Sequence, residues 1–113
     1  MRRALLLLIT LPLFTGALHA QTPLTVGGVT AKPGEAVSGW IEVPAGADPS
    51  ADPGARVPVT VVNGARPGAI LALVAGTHGY EYTSIIALQR VAARLEPAKM
   101  SGGVILVHMA NPP

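Results

Sequence analysis

The sequence predicts an α/β fold, a mixed β-sheet incomplete within these residues and preceded by a small β-rich N-terminal segment. Three observations carry that reading. Val57 to Val62 and Ile70 to Ala75 are apolar runs of strand length, the first rich in β-branched residues. Ile85, Leu88, Ala92 and Leu95 recur at three- and four-residue steps, the stripe of an amphipathic helix. Val104 to Met109 is a further buried-type run, so strand, helix and strand follow one another as in a right-handed parallel crossover.

The first twenty residues stand apart from that fold. Arg2 and Arg3 precede a short apolar core from Ala4 to Phe14, and small residues around Ala20 follow. This is the pattern of a secretory signal peptide spanning residues 1–20, too short and wrongly flanked for a spanning helix. The rival reading is an uncleaved N-terminal anchor. Cleavage after Ala20 would export the chain to the periplasm or the medium, with no membrane span. The chain has no cysteine, which excludes a disulfide framework and attachment through a lipidated cysteine. Arg2 and Arg3 are two of the eight basic residues, leaving six against six acidic ones. That balance offers no basic patch for nucleic acid.

Residues 21–55 form the β-rich segment. Leu24 to Val26 reads as a strand ended by Gly27-Gly28, and Lys32-Pro33-Gly34 as a turn. Glu35 to Val43 reads as a second strand, with Trp40 as a packing residue. Pro44 to Pro58 is rich in Pro, Gly, Ala and Asp and reads as an exposed loop separating this segment from the main domain at 56–113. Asp48 and Asp52 lack the spacing of a calcium loop.

In the main domain, Val57 to Val62 leads into Asn63-Gly64-Ala65-Arg66-Pro67-Gly68, a turn that favours an antiparallel hairpin with Ile70 to Ala75, Arg66 lying solvated at its tip. The helix follows Glu81, with Ile86 and Val91 widening its apolar stripe, the arginines near its end suiting the dipole, and Pro97 stopping it. His108, late in the last strand, reads as a buried, hydrogen-bonded core histidine rather than a ligand.

The chemistry concentrates between strand and helix, in Gly76-Thr77-His78-Gly79-Tyr80-Glu81. Polar groups at the carboxyl end of such a strand lie where open α/β sheets bind ligands. The His-x-x-Glu spacing lets an imidazole nitrogen and a carboxylate oxygen converge, as two ligands of a zinc site do. The competing reading is a plain strand–loop–helix joint, with Glu81 placed against the helix dipole.

The stretches Val59 to Gly68, Leu71 to Tyr82 and Val104 to Pro113 together resemble the start of the succinylglutamate desuccinylase/aspartoacylase family, within the zinc carboxypeptidase-like hydrolases. The resemblance covers about half of the chain. Its most specific part is Gly-x-His-Gly-x-Glu after a hydrophobic strand. It implies the mixed sheet of the zinc carboxypeptidase-like (phosphorylase/hydrolase-like) fold, with His78 and Glu81 binding one Zn2+. The implied activity is cleavage of an amide bond in an N-acyl amino acid or a peptide-like C-terminus by zinc-activated water. In that family an Arg and an Asn-Arg pair for substrate, a third zinc ligand (His) and a general base (Glu) follow further on. None of these can be placed before Pro113, so the expectation is an N-terminal fragment, inactive as the isolated chain.

Two other readings compete. A serine hydrolase of the α/β type can carry His-Gly after a strand as an oxyanion loop, but the Gly-x-Ser-x-Gly elbow is absent. A non-catalytic secreted domain would use His78 and Glu81 only to finish the helix. Sheet closure adds a physical expectation. The strands need cover on both faces and one helix covers one, so exposed edges and marginal stability are expected.

Overall fold

The computed structural model describes residues 21–78 and 80–112. The signal peptide read in residues 1–20 lies outside them. Strands β1 (Leu24–Val26) and β2 (Val29–Ala31) pair antiparallel across the Gly27-Gly28 turn. Then come β3 (Glu35–Val43), β4 (Ala55–Asn63), β5 (Arg66–Val74), helix α1 (Tyr82–Ala92), a 3-10 turn at Pro97–Lys99, and β6 (Ser101–Val107). The larger sheet has the order β3-β4-β6-β5. In it β3–β4 and β4–β6 are antiparallel, whereas β5–β6 is parallel. The parallel strand–helix–strand unit therefore forms as its patterning predicts, and the sheet is mixed.

The hairpin expected between β4 and β5 does not form, because β6 lies between them. After Asn63 the backbone turns to β6 and its approach. Gly64 N–H donates to the Gly102 carbonyl at 2.7 Å, Ala65 N–H to Pro97 and Arg66 N–H to Met100. The physical reason is two-sided burial. Val104 and Leu106 enter the core beneath α1, while Ile105 and Val107 pack against the opposite cluster, and only a central strand is covered on both faces. The insertion demands close approach at Gly102. Its φ is +75° and a side chain there would run into the Ala69 carbonyl, so only glycine fits.

Each face has its own cover. On one, Val62, Val104 and Leu106 pack with Ile85 and Leu88 of α1. On the other, Val59 and Val61 pack with Val29 and Ala31 of the β1–β2 hairpin. The expectation of a single covered face is thus corrected by a hairpin whose second strand the sequence reading missed. Segment 21–55 also contributes β3 to the same sheet. Edges stay open as expected: on β5, Ile70, Leu71 and Val74 are each more than half exposed. Ile86 and Val91 are exposed rather than part of the buried stripe.

Two polar residues take roles their neighbourhoods did not announce. Asn63, fully buried at the end of β4, donates from Nδ2 to the Thr22 and Ala31 carbonyls and accepts from Gln21 Nε2. It ties the incoming chain and β2 to the sheet. Arg66 is not merely solvated, since its guanidinium donates to Ser101 Oγ and to the Lys99 carbonyl. Trp40 is no core residue. It is half-exposed on the edge strand, with the Arg56 guanidinium 4.8 Å from its ring centroid and bonded to Glu42.

Replacing Asn63 with Ala leaves buried carbonyls unpaired, each at about 1–3 kcal/mol. The expected outcome in urea unfolding of Asn63→Ala is a loss of at least about 2 kcal/mol, whereas Trp40→Ala should cost less.

Candidate metal centre

The parallel pairing of β5 and β6 continues past both strands. Ala75 N–H donates to the Val107 carbonyl and its own carbonyl accepts from Ala110 N–H, both at 2.9 Å. Asn111 N–H reaches the Gly76 carbonyl at 3.1 Å. Ala75 and Gly76 are consequently buried, and the chain emerges at Thr77 and His78 at the carboxyl end of the sheet.

His78 and Glu81 meet there. Glu81 N–H donates to the His78 carbonyl at 3.1 Å, closing a turn that delivers the chain into α1. The Glu81 carbonyl then accepts from Ser84 N–H, Ser84 Oγ and Ile85 N–H. Glu81 occupies the helix N-cap position, yet its carboxylate caps no helix amide. Instead Oε1 lies 3.0 Å from His78 Nδ1, with the imidazole largely exposed. Hydrogen bonding from His78, through the side chain first and the backbone second, holds the Glu81 carboxyl below the ordinary carboxylate range.

The donor set suits a zinc ion. Tetrahedral ligation at about 2.0–2.2 Å separates neighbouring donor atoms by roughly 3.4 Å, so the pair needs only slight opening. A cation bound between Nδ1 and Oε1 would take the place of the proton they share. No cluster of three His, Cys, Asp or Glu residues stands together among the described residues. Tyr80 and Tyr82 flank the pair and are strongly exposed.

His108 is apart from this pair and is hydrogen-bonded, as expected, though only half-buried. Its Nε2 lies 2.7 Å from Thr60 Oγ1, which lies 2.8 Å from Ser38 Oγ, so the chain of bonds runs from the residue after β6 to β4 and β3. The β-register puts Ser38 opposite Thr60, a pairing no local sequence signal reveals. His108 Nδ1 is buried and without a partner among the described residues. Burial pushes the imidazole pKa down, favouring the neutral ring.

Comparison with known proteins agrees with the strand–loop–helix geometry. A profile of the succinylglutamate desuccinylase/aspartoacylase catalytic domain matches residues 67–113. The N-alpha-acetyl-L-2,4-diaminobutyric acid deacetylase of Halomonas elongata is 42% identical over 76 residues, 66% of this chain and 22% of the deacetylase. A succinylglutamate desuccinylase/aspartoacylase from Rhodobacter sphaeroides superposes with a TM-score of 0.52 at 33% identity, over 66% of this chain and 22% of that one. An aspartoacylase family protein from Mesorhizobium loti gives 0.57 at 26% identity, over 82% and 27%.

The chain belongs to the succinylglutamate desuccinylase/aspartoacylase family. It spans about a fifth to a quarter of the length of these relatives. Its mixed sheet with few helices is that family's fold, incomplete here. The matched residues contain β5 from its second residue, the His78–Glu81 turn, α1 and β6.

The His108 environment yields a pH dependence. The folded pKa lies below the ordinary value of 6.5, so the unfolded chain binds the proton more readily. This contribution to stability is full above the unfolded value and lost as pH falls through it. Urea midpoints measured from neutral pH down to about 5 should fall more steeply for the native chain than for His108→Gln.

Proposed function

We propose that the chain carries part of the metal site of an exported zinc-dependent hydrolase acting on an amide bond. The carrying observation is that the Glu81 carboxylate, although at a helix N-cap, turns away from the helix amides to within 3.0 Å of His78 Nδ1. A carboxylate that only finished a helix would face those amides. The serine-hydrolase alternative has no use for this pairing.

In this reading His78 contributes a neutral nitrogen through Nδ1 and Glu81 an anionic oxygen. A zinc ion held there would lower the pKa of water toward 7 and polarise the scissile carbonyl. The substrate class is an N-acyl amino acid or a peptide-like C-terminus. Support comes from a relative whose name specifies deacetylation of an acetylated diamino acid and from the family's desuccinylase and aspartoacylase descriptions. Catalytic zinc normally has three protein ligands, and this turn supplies two. Two ligands alone hold zinc weakly, so His78 and Glu81 would be part of a larger ligand set. Export rests on Arg2, Arg3 and the apolar run from Ala4 to Phe14.

Zinc titration followed by imidazole NMR tests the ligand pair. Zinc should shift the His78 resonances, with the weak affinity expected of two ligands. His78→Ala should abolish the response and Glu81→Gln should weaken it severalfold. Zinc shifts confined to His108, or an undiminished response in Glu81→Gln, would overturn the assignment. Intact-mass analysis of secreted material tests export, with a mass beginning at Gln21 as the expected result.

A further inference from the structure

We infer that Gly76 is a positioning residue that sets the separation of His78 and Glu81. Its consequence for metal rests on the zinc reading above; the junction it occupies does not. Gly76 is buried where three elements meet: the end of β5, the chain leaving β6, and the first turn of α1. Its φ is +63°, a left-handed conformation that glycine adopts without strain. A Cβ there would lie 3.0 Å from Met109 Cα, 3.1 Å from Met109 Cγ and 3.2 Å from Ile85 Cδ1. Met109 belongs to the β6 exit and Ile85 to α1, so one added methyl group presses on both.

These two neighbours fix the two ligands by different routes. The β6 exit holds the His78 side through Ala110 N–H to the Ala75 carbonyl and Asn111 N–H to the Gly76 carbonyl. Helix α1 holds the Glu81 side, because Ile85 N–H donates to the Glu81 carbonyl at 3.2 Å. Pushing Met109 and Ile85 outward therefore moves the two ligand-bearing supports relative to each other. Ligand sites tolerate only about 0.5 Å of such error. Gly76 thus serves the pair without touching a metal or a substrate.

The test compares the native chain with Gly76→Ala and Gly28→Ala. Gly28 also has a positive φ, of +88°, but nothing lies within 4 Å of its Cβ position, so it reproduces the backbone strain without the contact. One readout is zinc affinity at His78 by imidazole NMR. The other, independent of metal, is amide hydrogen exchange at Ala110 and Asn111.

Gly76→Ala should weaken zinc binding about tenfold or more, as loss of a ligand's support does, and speed exchange at both amides relative to Leu106. Gly28→Ala should leave both readouts at native values. A second variant, Asn111→Pro, keeps Gly76 but deletes the amide its carbonyl accepts, and should weaken zinc severalfold with the core intact. That variant decides the matter if Gly76→Ala does not fold. Native-like zinc affinity in whichever variant is read overturns the inference. If the native chain shows no zinc response at all, the metal reading fails instead, and unchanged exchange at Ala110 in the variants would then overturn the positioning role separately.

Discussion

The central placement of β6 is the constraint on which the remaining architecture depends. Being apolar on both faces, β6 buries Val104 and Leu106 under α1 and Ile105 and Val107 toward the β1–β2 hairpin. Burial of apolar area is the dominant favourable term in folding, and a strand that is apolar on both sides gains most from the middle of a sheet. Its insertion separates β4 from β5 and makes the β5–β6 pair parallel. The same insertion concentrates steric demand at Gly102, where strands converge too closely for a side chain.

The candidate site is a consequence of that parallel pair. Two parallel strands ending side by side leave their exits adjacent, and here the exits are hydrogen-bonded to each other through Ala75, Gly76, Ala110 and Asn111. The turn bearing His78 and Glu81 therefore rises from braced backbone rather than from a free loop. An antiparallel β4–β5 hairpin, which the Asn-Gly turn favours, would have left β5 without this brace. Family membership and geometry meet at this point, since the matched residues 67–113 are those that build the braced turn.

Stability is distributed unevenly around this centre. Strands β4 and β6 are covered on both faces, and β4 is tied to the N-terminal hairpin by the buried Asn63 amide. The β5 edge presents Ile70, Leu71 and Val74 to solvent. Exposed apolar edges of this kind are templates for further pairing. The Ser38–Thr60–His108 chain ties β3 and β4 to the chain leaving β6, with burial favouring the neutral imidazole at one end.

Much of the local structure was legible in the sequence. Period and apolar run length located β3, β4, β5, β6 and α1, and the Gly-x-His-Gly-x-Glu spacing singled out His78 and Glu81 before any contact was known. These features depend on neighbours within a few residues, where side-chain period and backbone preference act directly. Strand order, the cover of the second face, and the roles of Asn63, Arg66 and Trp40 were decided only in the tertiary structure. Asn63-Gly64 has the chemistry of a hairpin turn, but its local preference is small beside the burial gained when β6 enters the sheet. Whether Glu81 caps a helix or faces an imidazole is likewise not a matter of spacing, because His-x-x-Glu permits both. The braced turn that carries His78 is what sets the carboxylate beside it.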